Sequence, residues 1–266
     1  MKLHILTIAY NAMPFLPIQL ATLNRCSEDW IWHIIEGPAA NVGSTKWCRT
    51  LTPGRSTDGT AEFMDMLQGH PRIHTGWKKY WSGGKDEMCN YALRFINEPC
   101  VLLQMDADEI WDARQLSAIV QLFSPRNQFN CARFRCRYFV GHNLITTGPE
   151  SGYYGNNPGE WLRAWRFTPG MTFKSHEPPA LTGINEKADG WENCASADFT
   201  SLWVGTFDHH SWVYPAHVAF KEQFYGYTNA LAQWEKLQDY DGPFPAQLKQ
   251  FLPWVDDKAQ VVQLFS

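Results

Sequence analysis

The stretch CVLLQMDADEIWD at residues 100–112 joins an apolar run to a dense group of carboxylates. The apolar part predicts a buried strand, and it is followed within seven positions by Asp106, Asp108, Glu109 and Asp112. Carboxylates this close repel one another unless water, a cation or a basic partner compensates them. The stretch therefore predicts a core strand whose carboxyl end either emerges into solvent or holds something positive.

Segments upstream of this strand alternate between strand and helix patterns. LHILTIA at residues 3–9 and WIWHIIE at residues 30–36 predict strands, and residues 17–26, 61–68 and 84–97 predict helices. Asp58 or Thr60 is the expected N-cap of the second of these helices. Strands that are apolar on both faces and alternate with helices indicate a parallel sheet covered by helices.

Polar residues follow three of these strands. They are Tyr10 and Asn11 after the first, Glu36 at the end of the second, and the pair Asp106 and Asp108 after the third. Ligands of open α/β sheets bind beyond the carboxyl ends of the strands. We therefore expect these side chains to meet in one polar, acidic site.

The second half of the chain has a mixed pattern. Residues 113–123 and the segment from residue 215 onward predict helices, residues 131–140, 161–167 and 201–207 predict strands, and residues 141–159 predict a loop. No linker or repeat interrupts the chain, so we expect one α/β domain over residues 1–266. Within it, residues 1–115 would be the nucleotide-binding half, 116–214 the acceptor-side half and 215–266 the C-terminal helices.

Composition excludes several classes of protein. The formal net charge of −4 gives no reason to expect nucleic acid or anionic lipid as a partner. No apolar run has the length of a membrane span, and the seven scattered cysteines contain no C-x-x-C pair. A soluble, cytoplasmic protein with buried free thiols is expected. The aromatic content of 15% fits either a bulky core or a surface that stacks on ligands.

The D-x-D pair is the strongest candidate for a metal site. An EF-hand loop starting at Asp106 would need Gly and Glu where Trp111 and Ser117 stand, so that type of calcium site is excluded. Alternate residues of a strand share one side, which places Asp106 and Asp108 together. Such oxygen ligands suit Mg²⁺ or Mn²⁺ that also binds a substrate phosphate. The alternative is a solvated strand end before a helix.

The order of these segments resembles the GT-A fold of family-2-like, nucleotide-sugar-dependent glycosyltransferases. Matching pieces occur in the family's order over roughly the first 115 residues: LTIAYN at 6–11, HIIEG at 33–37, STDGT at 56–60, KDEMCNYAL at 85–93 and LLQMDADE at 102–109. The chain departs from the family in a long insert between Glu36 and Ser56, which leaves open whether Asp58 lines the nucleotide pocket.

The resemblance implies a role for each matching residue. The nucleotide would be framed by Ala9, Tyr10, Asn11, Glu36, Asp58, Asp106 and Ala107, with Lys85 near the phosphates. Asp108 would be the main metal ligand. His176 and His210 are the imidazole ligands we expect to assist it, with His209 and His217 as further candidates. Lys221 would help to close the acceptor cleft.

An inverting transferase also needs a carboxylate that accepts the proton of the acceptor hydroxyl. Glu177, in FKSHEPP at residues 173–179, is the first candidate, and Asp208, in FDHHSW at residues 207–212, is the second. The predicted function is transfer of a sugar from a nucleotide-sugar donor to a glycan or other hydroxyl acceptor, dependent on Mn²⁺ or Mg²⁺. The alternatives are a nucleotidyltransferase, although no Gly-rich loop follows the first strand, and a non-catalytic nucleotide- or carbohydrate-binding module.

Overall fold

The computed structural model describes residues 1–125, 127–147, 160–184, 193–255 and 258–264. The strands in these ranges are β1 (Leu3–Ala9), β2 (Trp30–Glu36), β3 (Ile73–Trp77), β4 (Cys100–Gln104), β5 (Glu109–Ile110), β6 (Cys131–Phe134), β7 (Cys136–Tyr138), β8 (Leu144–Thr147), β9 (Trp161–Phe167), β10 (Phe173–His176), β11 (Pro179–Leu181), β12 (Cys194–Ala195), β13 (Phe207–His209), β14 (Ala246–Gln247) and β15 (Gln260–Gln263). The α-helices are α1 (Phe15–Leu23), α2 (Thr60–Met66), α3 (Gly84–Leu93), α4 (Ala113–Leu122), α5 (Ala197–Trp203), α6 (Pro215–Tyr225) and α7 (Ala230–Gln238), and 3₁₀ turns cover Gly43–Thr45 and Leu248–Gln250.

A seven-stranded sheet forms the centre of the fold, in the order β12-β6-β9-β4-β1-β2-β3. The strands β1, β2, β3 and β4 are parallel, and of the seven only β9 runs against its neighbours. This arrangement confirms the predicted α/β class, with a mostly parallel sheet flanked by helices and a mixed second half.

The two faces of this sheet belong to separate apolar clusters. Leu103 packs in one cluster with Leu16 of α1 and Ile119 of α4. Its neighbour Leu102 packs in the other cluster with Met88 of α3. Because successive residues of a strand point to opposite faces, a strand that is covered on both sides must be apolar at nearly every position. This explains why β1, β2 and β4 are continuous apolar runs in the sequence.

The parallel register brings the carboxyl ends of three strands to one edge. Ala9, the last residue of β1, pairs with Glu36 of β2, and Leu6 of β1 pairs with Gln104 at the end of β4. The predicted convergence of these strand ends is therefore confirmed. A smaller sheet, β5-β13-β7, continues from this edge, because β5 follows the D-x-D turn and pairs with β13 from the second half.

Strand β3 is missing from the sequence-based prediction. Its sequence, IHTGW, is short and mixes polar and apolar residues, so periodicity alone does not reveal it. The strand forms because its backbone pairs in parallel with β2, from Trp32 to Glu36. Pairing with an existing strand supplies hydrogen bonds and burial that the segment does not have by itself.

One predicted strand is divided in the structure, and another is wrong. Residues 131–140 form β6 and β7, which belong to different sheets, and the chain changes sheet at Arg135, whose carbonyl accepts a hydrogen bond from the Phe207 amide. Residues 201–207 contain the end of α5 instead of a strand. The Ser196 hydroxyl caps this helix by accepting from the Phe199 amide, and Gly205 then turns the chain with a φ of 94°.

Other predictions are wrong in part. Residues 173–176, for which no strand was predicted, form β10, which forms a hairpin with β11. Residues 215–266, predicted as helices, also carry β14 and β15, and β15 pairs with β8 in the segment predicted as a loop. The rest of that predicted loop, residues 148–159, lies outside the described residues. Within the described ranges no helix combines the length and the apolarity needed to cross a bilayer.

Candidate functional site

A cavity of about 610 Å³ opens at the edge where β1 and β4 end. Its walls come from these strand ends, from β9, β10 and β13, and from α6. Small-molecule sites usually have volumes of about 300–1,000 Å³. Twelve predicted site residues line the cavity: Ala9, Tyr10, Asn11, Lys85, Asp106, Ala107, Asp108, His176, Glu177, His209, His217 and Lys221.

The D-x-D turn is held in place from α1. The buried side-chain amide of Gln19 donates towards three backbone carbonyls, at 2.9 Å from Asp106, 3.0 Å from Ala107 and 2.9 Å from Glu109. Glu109 is fully buried and Asp106 and Ala107 are half-buried, so these carbonyls depend largely on the protein for a hydrogen-bond partner. With its backbone fixed in this way, the turn directs its carboxylates into the cavity.

Asp106 contacts two basic side chains from the second half of the chain. Its Oδ2 lies 2.9 Å from the guanidinium of Arg163, which is only 3% exposed, and its Oδ1 lies 3.7 Å from Nε2 of His176. Burial alone would raise the pKa of Asp106, but Arg163 and His176 together outweigh this effect and hold the pKa below its ordinary value. Asp106 is therefore a carboxylate that the protein itself neutralises.

Asp108 has a different pair of partners. Its Oδ1 lies 3.4 Å from Nε2 of His209, and its Oδ2 lies 3.3 Å from Nζ of Lys221 on α6. Burial again acts to raise the pKa of this carboxyl, but Lys221 and His209 hold it well below its ordinary value. The sequence prediction placed Lys221 at the acceptor cleft and did not anticipate this contact.

The two remaining acids of the cluster have structural roles. Glu109 is fully buried, and its Oε1 lies 2.7 Å from the guanidinium of Arg163. Asp112 caps α4: its carboxylate accepts from the Gln115 amide, and the Gln115 side chain accepts from the Asp112 amide. Arg163 is thus shared by Glu109 and Asp106. The sequence signal for it was a charge between two apolar residues, although it is one of two arginines in the predicted strand WLRAWRF.

Two acids predicted to frame the nucleotide are absent from the described residues that line the cavity. Glu36 is fully buried and accepts from the Ser56 amide at 2.7 Å and from Nε of Arg55 at 3.1 Å. Asp58 accepts from the amides of Met13 and Thr60. Both carboxylates hold the loop at residues 55–58 against the carboxyl ends of β1 and β2.

This loop and the end of β1 brace each other through side chains. Oδ1 of Asn11 accepts from the Thr57 amide at 2.9 Å, and the Asn11 amide donates to the Ser56 hydroxyl at 3.0 Å. Asn11 has a φ of 52°, which Asn tolerates better than most residues. The predicted N-cap of α2 is wrong, since Gly59, with a φ of 98°, occupies that position because a left-handed backbone favours glycine.

The structure separates Asp208 and His210 from the cavity. Asp208 forms a bidentate pair with Arg137, at 2.6 and 2.7 Å. The His210 ring stacks on Phe139 with centroids 4.4 Å apart. Side chains alternate along β13, so His209 faces the cavity and Asp208 faces away. Neither the assignment of Asp208 as a base nor that of His210 as a metal ligand fits these positions; His209 takes the place predicted for His210.

Glu177 and Lys85 both lie on the cavity wall. Glu177 lies in the turn between β10 and β11 and lines the cavity, as residues of α6 also do. Lys85 is in the first turn of α3, with its ammonium 5.5 Å from the ring centre of Phe224. Their positions leave both side chains available to a ligand in the cavity.

The residues at Asp108 fit a divalent cation that is shared with a ligand. Among the described residues no group of three or more His, Cys, Asp and Glu side chains forms a closed metal centre. Asp108 Oδ1 and His209 Nε2 nevertheless lie 3.4 Å apart on the cavity wall. Mg²⁺ and Mn²⁺ commonly bind through one or two such groups and complete their shell with water and phosphate oxygens. Asp108 and His209 are therefore the residues that would hold the cation.

No family model matches the chain, and no curated protein matches it in sequence. Several solved structures are similar to it. TarS 1-349 of S. aureus in complex with UDP-GlcNAc is 12% identical over 88% of this chain and 70% of that chain, with a TM-score of 0.49. In another crystal structure of the same fragment, at 14% identity and a TM-score of 0.43, the match covers 62% of this chain and only 47% of the fragment, about half its length.

Two further structures complete this comparison. Mannosyltransferase PcManGT from Pyrobaculum calidifontis, in complex with GDP-Man and Mn²⁺, is 16% identical over 94% of this chain and 68% of that chain, with a TM-score of 0.44. The 4-diphosphocytidyl-2C-methyl-D-erythritol synthase from Anaerococcus prevotii is 11% identical over 97% of this chain and 84% of that chain, with a TM-score of 0.35. Likenesses of this degree say nothing about activity.

Proposed function

We propose that the chain is a glycosyltransferase that moves a sugar from a nucleoside diphosphate sugar to a hydroxyl acceptor with inversion. The observation that carries this proposal is the D-x-D turn in the cavity wall. Two carboxylates at the end of a central strand face Arg163, Lys221, His176 and His209. Such a set of acids and cations suits a ligand that carries a diphosphate and a divalent cation together.

The residues of the first half would bind the nucleotide. Ala9, Tyr10 and Asn11 at the end of β1, together with Asp106 and Ala107, border the part of the cavity next to the parallel strands. Glu36 and Asp58 would act indirectly, because their carboxylates hold the loop that supports Asn11. In this proposal residues 1–115 are the nucleotide-binding half of a single domain.

Glu177 is the proposed base. Its carboxylate would take the proton from the acceptor hydroxyl while the acceptor oxygen bonds to the anomeric carbon. The bond from that carbon to the diphosphate oxygen breaks at the same time, and the leaving group keeps the electron pair. Lys221 and Lys85 would stabilise the negative charge that develops on the diphosphate. A cation held by Asp108 and His209 would neutralise the same charge as a Lewis acid.

The test is release of nucleoside diphosphate from a panel of UDP-, GDP- and dTDP-sugars with Mn²⁺, in wild-type protein and in Asp108→Asn. We expect the variant to reduce release by at least about 100-fold, because charge stabilisation at a transition state is worth this much or more. Asp198→Asn is the matched control, since Asp198 is 80% exposed and pairs only with Arg135 among the described ion pairs; its release should stay within about twofold.

Each alternative has its own outcome in this assay. Full turnover by Asp108→Asn would show that the reaction does not need the Asp108 carboxylate. Tight nucleotide binding without release from any donor would indicate a non-catalytic binding module. Release of pyrophosphate from nucleoside triphosphates, with no release from sugar donors, would indicate a nucleotidyltransferase.

A further inference from the structure

We propose that Lys221 makes cation binding at Asp108 depend on the donor: its ammonium neutralises Asp108 while the cavity is empty and contacts the diphosphate once the donor binds. This inference rests on the proposed function for the identity of the ligand. It assigns to one lysine both the suppression of metal binding in the free protein and a contact to phosphate in the complex.

Three acceptors surround the ammonium of Lys221. Nζ lies 2.6 Å from the carbonyl oxygen of Ser211, in close contact with the Ser211 hydroxyl, and 3.3 Å from Oδ2 of Asp108. A lysine ammonium has three N–H groups, so these contacts use its full donor capacity. The side chain of Lys221 is only 13% exposed, and Ser211 is buried as well. The ammonium is therefore held at the wall of the cavity.

The three contacts differ in what can replace them. Ser211 supplies two of them from a buried position, so they persist when the cavity fills. The contact to Asp108 is the longest and the only one to a charged group. A diphosphate oxygen in the cavity offers the same negative charge to the third N–H. Exchange of this one contact would leave both contacts to Ser211 in place.

The same contact weakens the cation site. Oδ2 of Asp108 contacts Lys221, whereas Oδ1, which lies next to His209, would bind the proposed cation. Two positive charges this close repel each other strongly in a partly buried site. A cation at Asp108 is therefore disfavoured until the negative charge of a diphosphate offsets that repulsion. Metal and donor binding become coupled through Lys221.

The experiment measures two affinities separately in wild-type protein, Lys221→Met and Lys221→Arg. Mn²⁺ binding without nucleotide is followed by the electron paramagnetic resonance signal of free Mn²⁺. Binding of inorganic pyrophosphate in EDTA is followed by isothermal titration calorimetry. We expect Lys221→Met to bind Mn²⁺ about tenfold or more tightly than wild type, and pyrophosphate about tenfold more weakly. Lys221→Arg keeps the charge and should stay within about threefold of wild type for Mn²⁺.

Lys85→Met is the matched control for Mn²⁺ binding. Lys85 lines the same cavity, but no described hydrogen bond or ion pair joins it to Asp108, so its removal should change Mn²⁺ affinity by less than about threefold. Thermal unfolding of each variant verifies that the fold is retained, and Lys221→Gln, which also removes the charge, replaces Lys221→Met if that variant does not fold.

Opposite changes in the two affinities would support the proposal, because loss of a merely structural side chain would weaken both. Unchanged or weaker Mn²⁺ binding by Lys221→Met would overturn it, as would absence of Mn²⁺ binding in both proteins or an equal gain in Lys85→Met. Neither measurement uses a donor sugar. The proposed role of Lys221 can therefore fail while donor turnover succeeds. Conversely, the two affinities can change as expected in a protein that turns over no donor.

Discussion

The two halves of the chain contribute opposite charges to the ion pairs of the D-x-D turn. The turn after β4, from the parallel half, supplies Asp106 and Asp108, and the second half supplies Arg163 on β9 and Lys221 on α6. The acids follow one another in the sequence, whereas their cationic partners come from separate elements 57 and 113 positions further along. A cluster of like charges at the end of a core strand is stable here because the second half folds onto it.

Removal of Arg163 should cause the largest loss of unfolding free energy. Arg163→Met leaves Glu109 and Asp106 without their guanidinium, and loss of one member of a buried ion pair typically costs about 3–5 kcal/mol of unfolding free energy. Urea unfolding followed by tryptophan fluorescence measures this loss. Arg137→Met is the control, because Arg137 also binds a carboxylate through two nitrogens but is 49% exposed. It should lose about 0–1 kcal/mol, and equal losses in the two variants would contradict the contrast between the buried and exposed pairs.

A second test concerns the support of the acidic turn from within the first half. Gln19→Leu removes the amide that satisfies three backbone carbonyls, so we expect a loss of about 1–3 kcal/mol in the same urea unfolding. Gln121→Leu, on the exposed side of α4, should stay within about 0.5 kcal/mol of wild type. If Gln19→Leu proved as stable as wild type, the turn would be held by other contacts.

The smallest expected effect concerns three stacked histidines, one in each of β1, β2 and β3. His33 is fully buried and stacks between His4 and His74, with centroids 5.2 Å apart on each side. Burial, with help from His4 and His74, lowers the pKa of His33 to about 3. In the unfolded chain a histidine titrates near pH 6.5. The unfolded state therefore binds a proton at His33 that the folded state does not bind. As a result, the free energy of unfolding decreases as pH falls from 6.5 towards 3.

Between pH 8 and pH 5.5 this histidine should account for roughly 1 kcal/mol of lost stability. Unfolding free energies of wild type and His33→Leu at both pH values provide the measurement. The variant should lose less stability on acidification than wild type by about this amount. An identical loss in the two proteins would show that other groups carry the pH dependence.

The parallel half could be predicted closely, and its failures have identifiable causes. The bounds of β1 and β2 follow from the apolar runs, because buried strands must be apolar on both faces. Strand β3, which mixes polar and apolar residues, was not predicted, because its stability comes from pairing with β2. In the second half, residues 201–207 were predicted as a strand, but a serine cap and a glycine turn make them the end of α5.

The sequence by itself determined that an acidic pair would end the central strand, and parallel topology placed it beside the end of β1. Only the tertiary structure decided which groups face that pair. In the pair His209 and His210, the alternation of β13 turns His209 towards Asp108 and leaves His210 on Phe139. Lys221 reaches Asp108 because α6 folds back over the cavity. A strand end is determined by local hydrophobic pattern, whereas a charge pair between distant segments depends on how those segments pack.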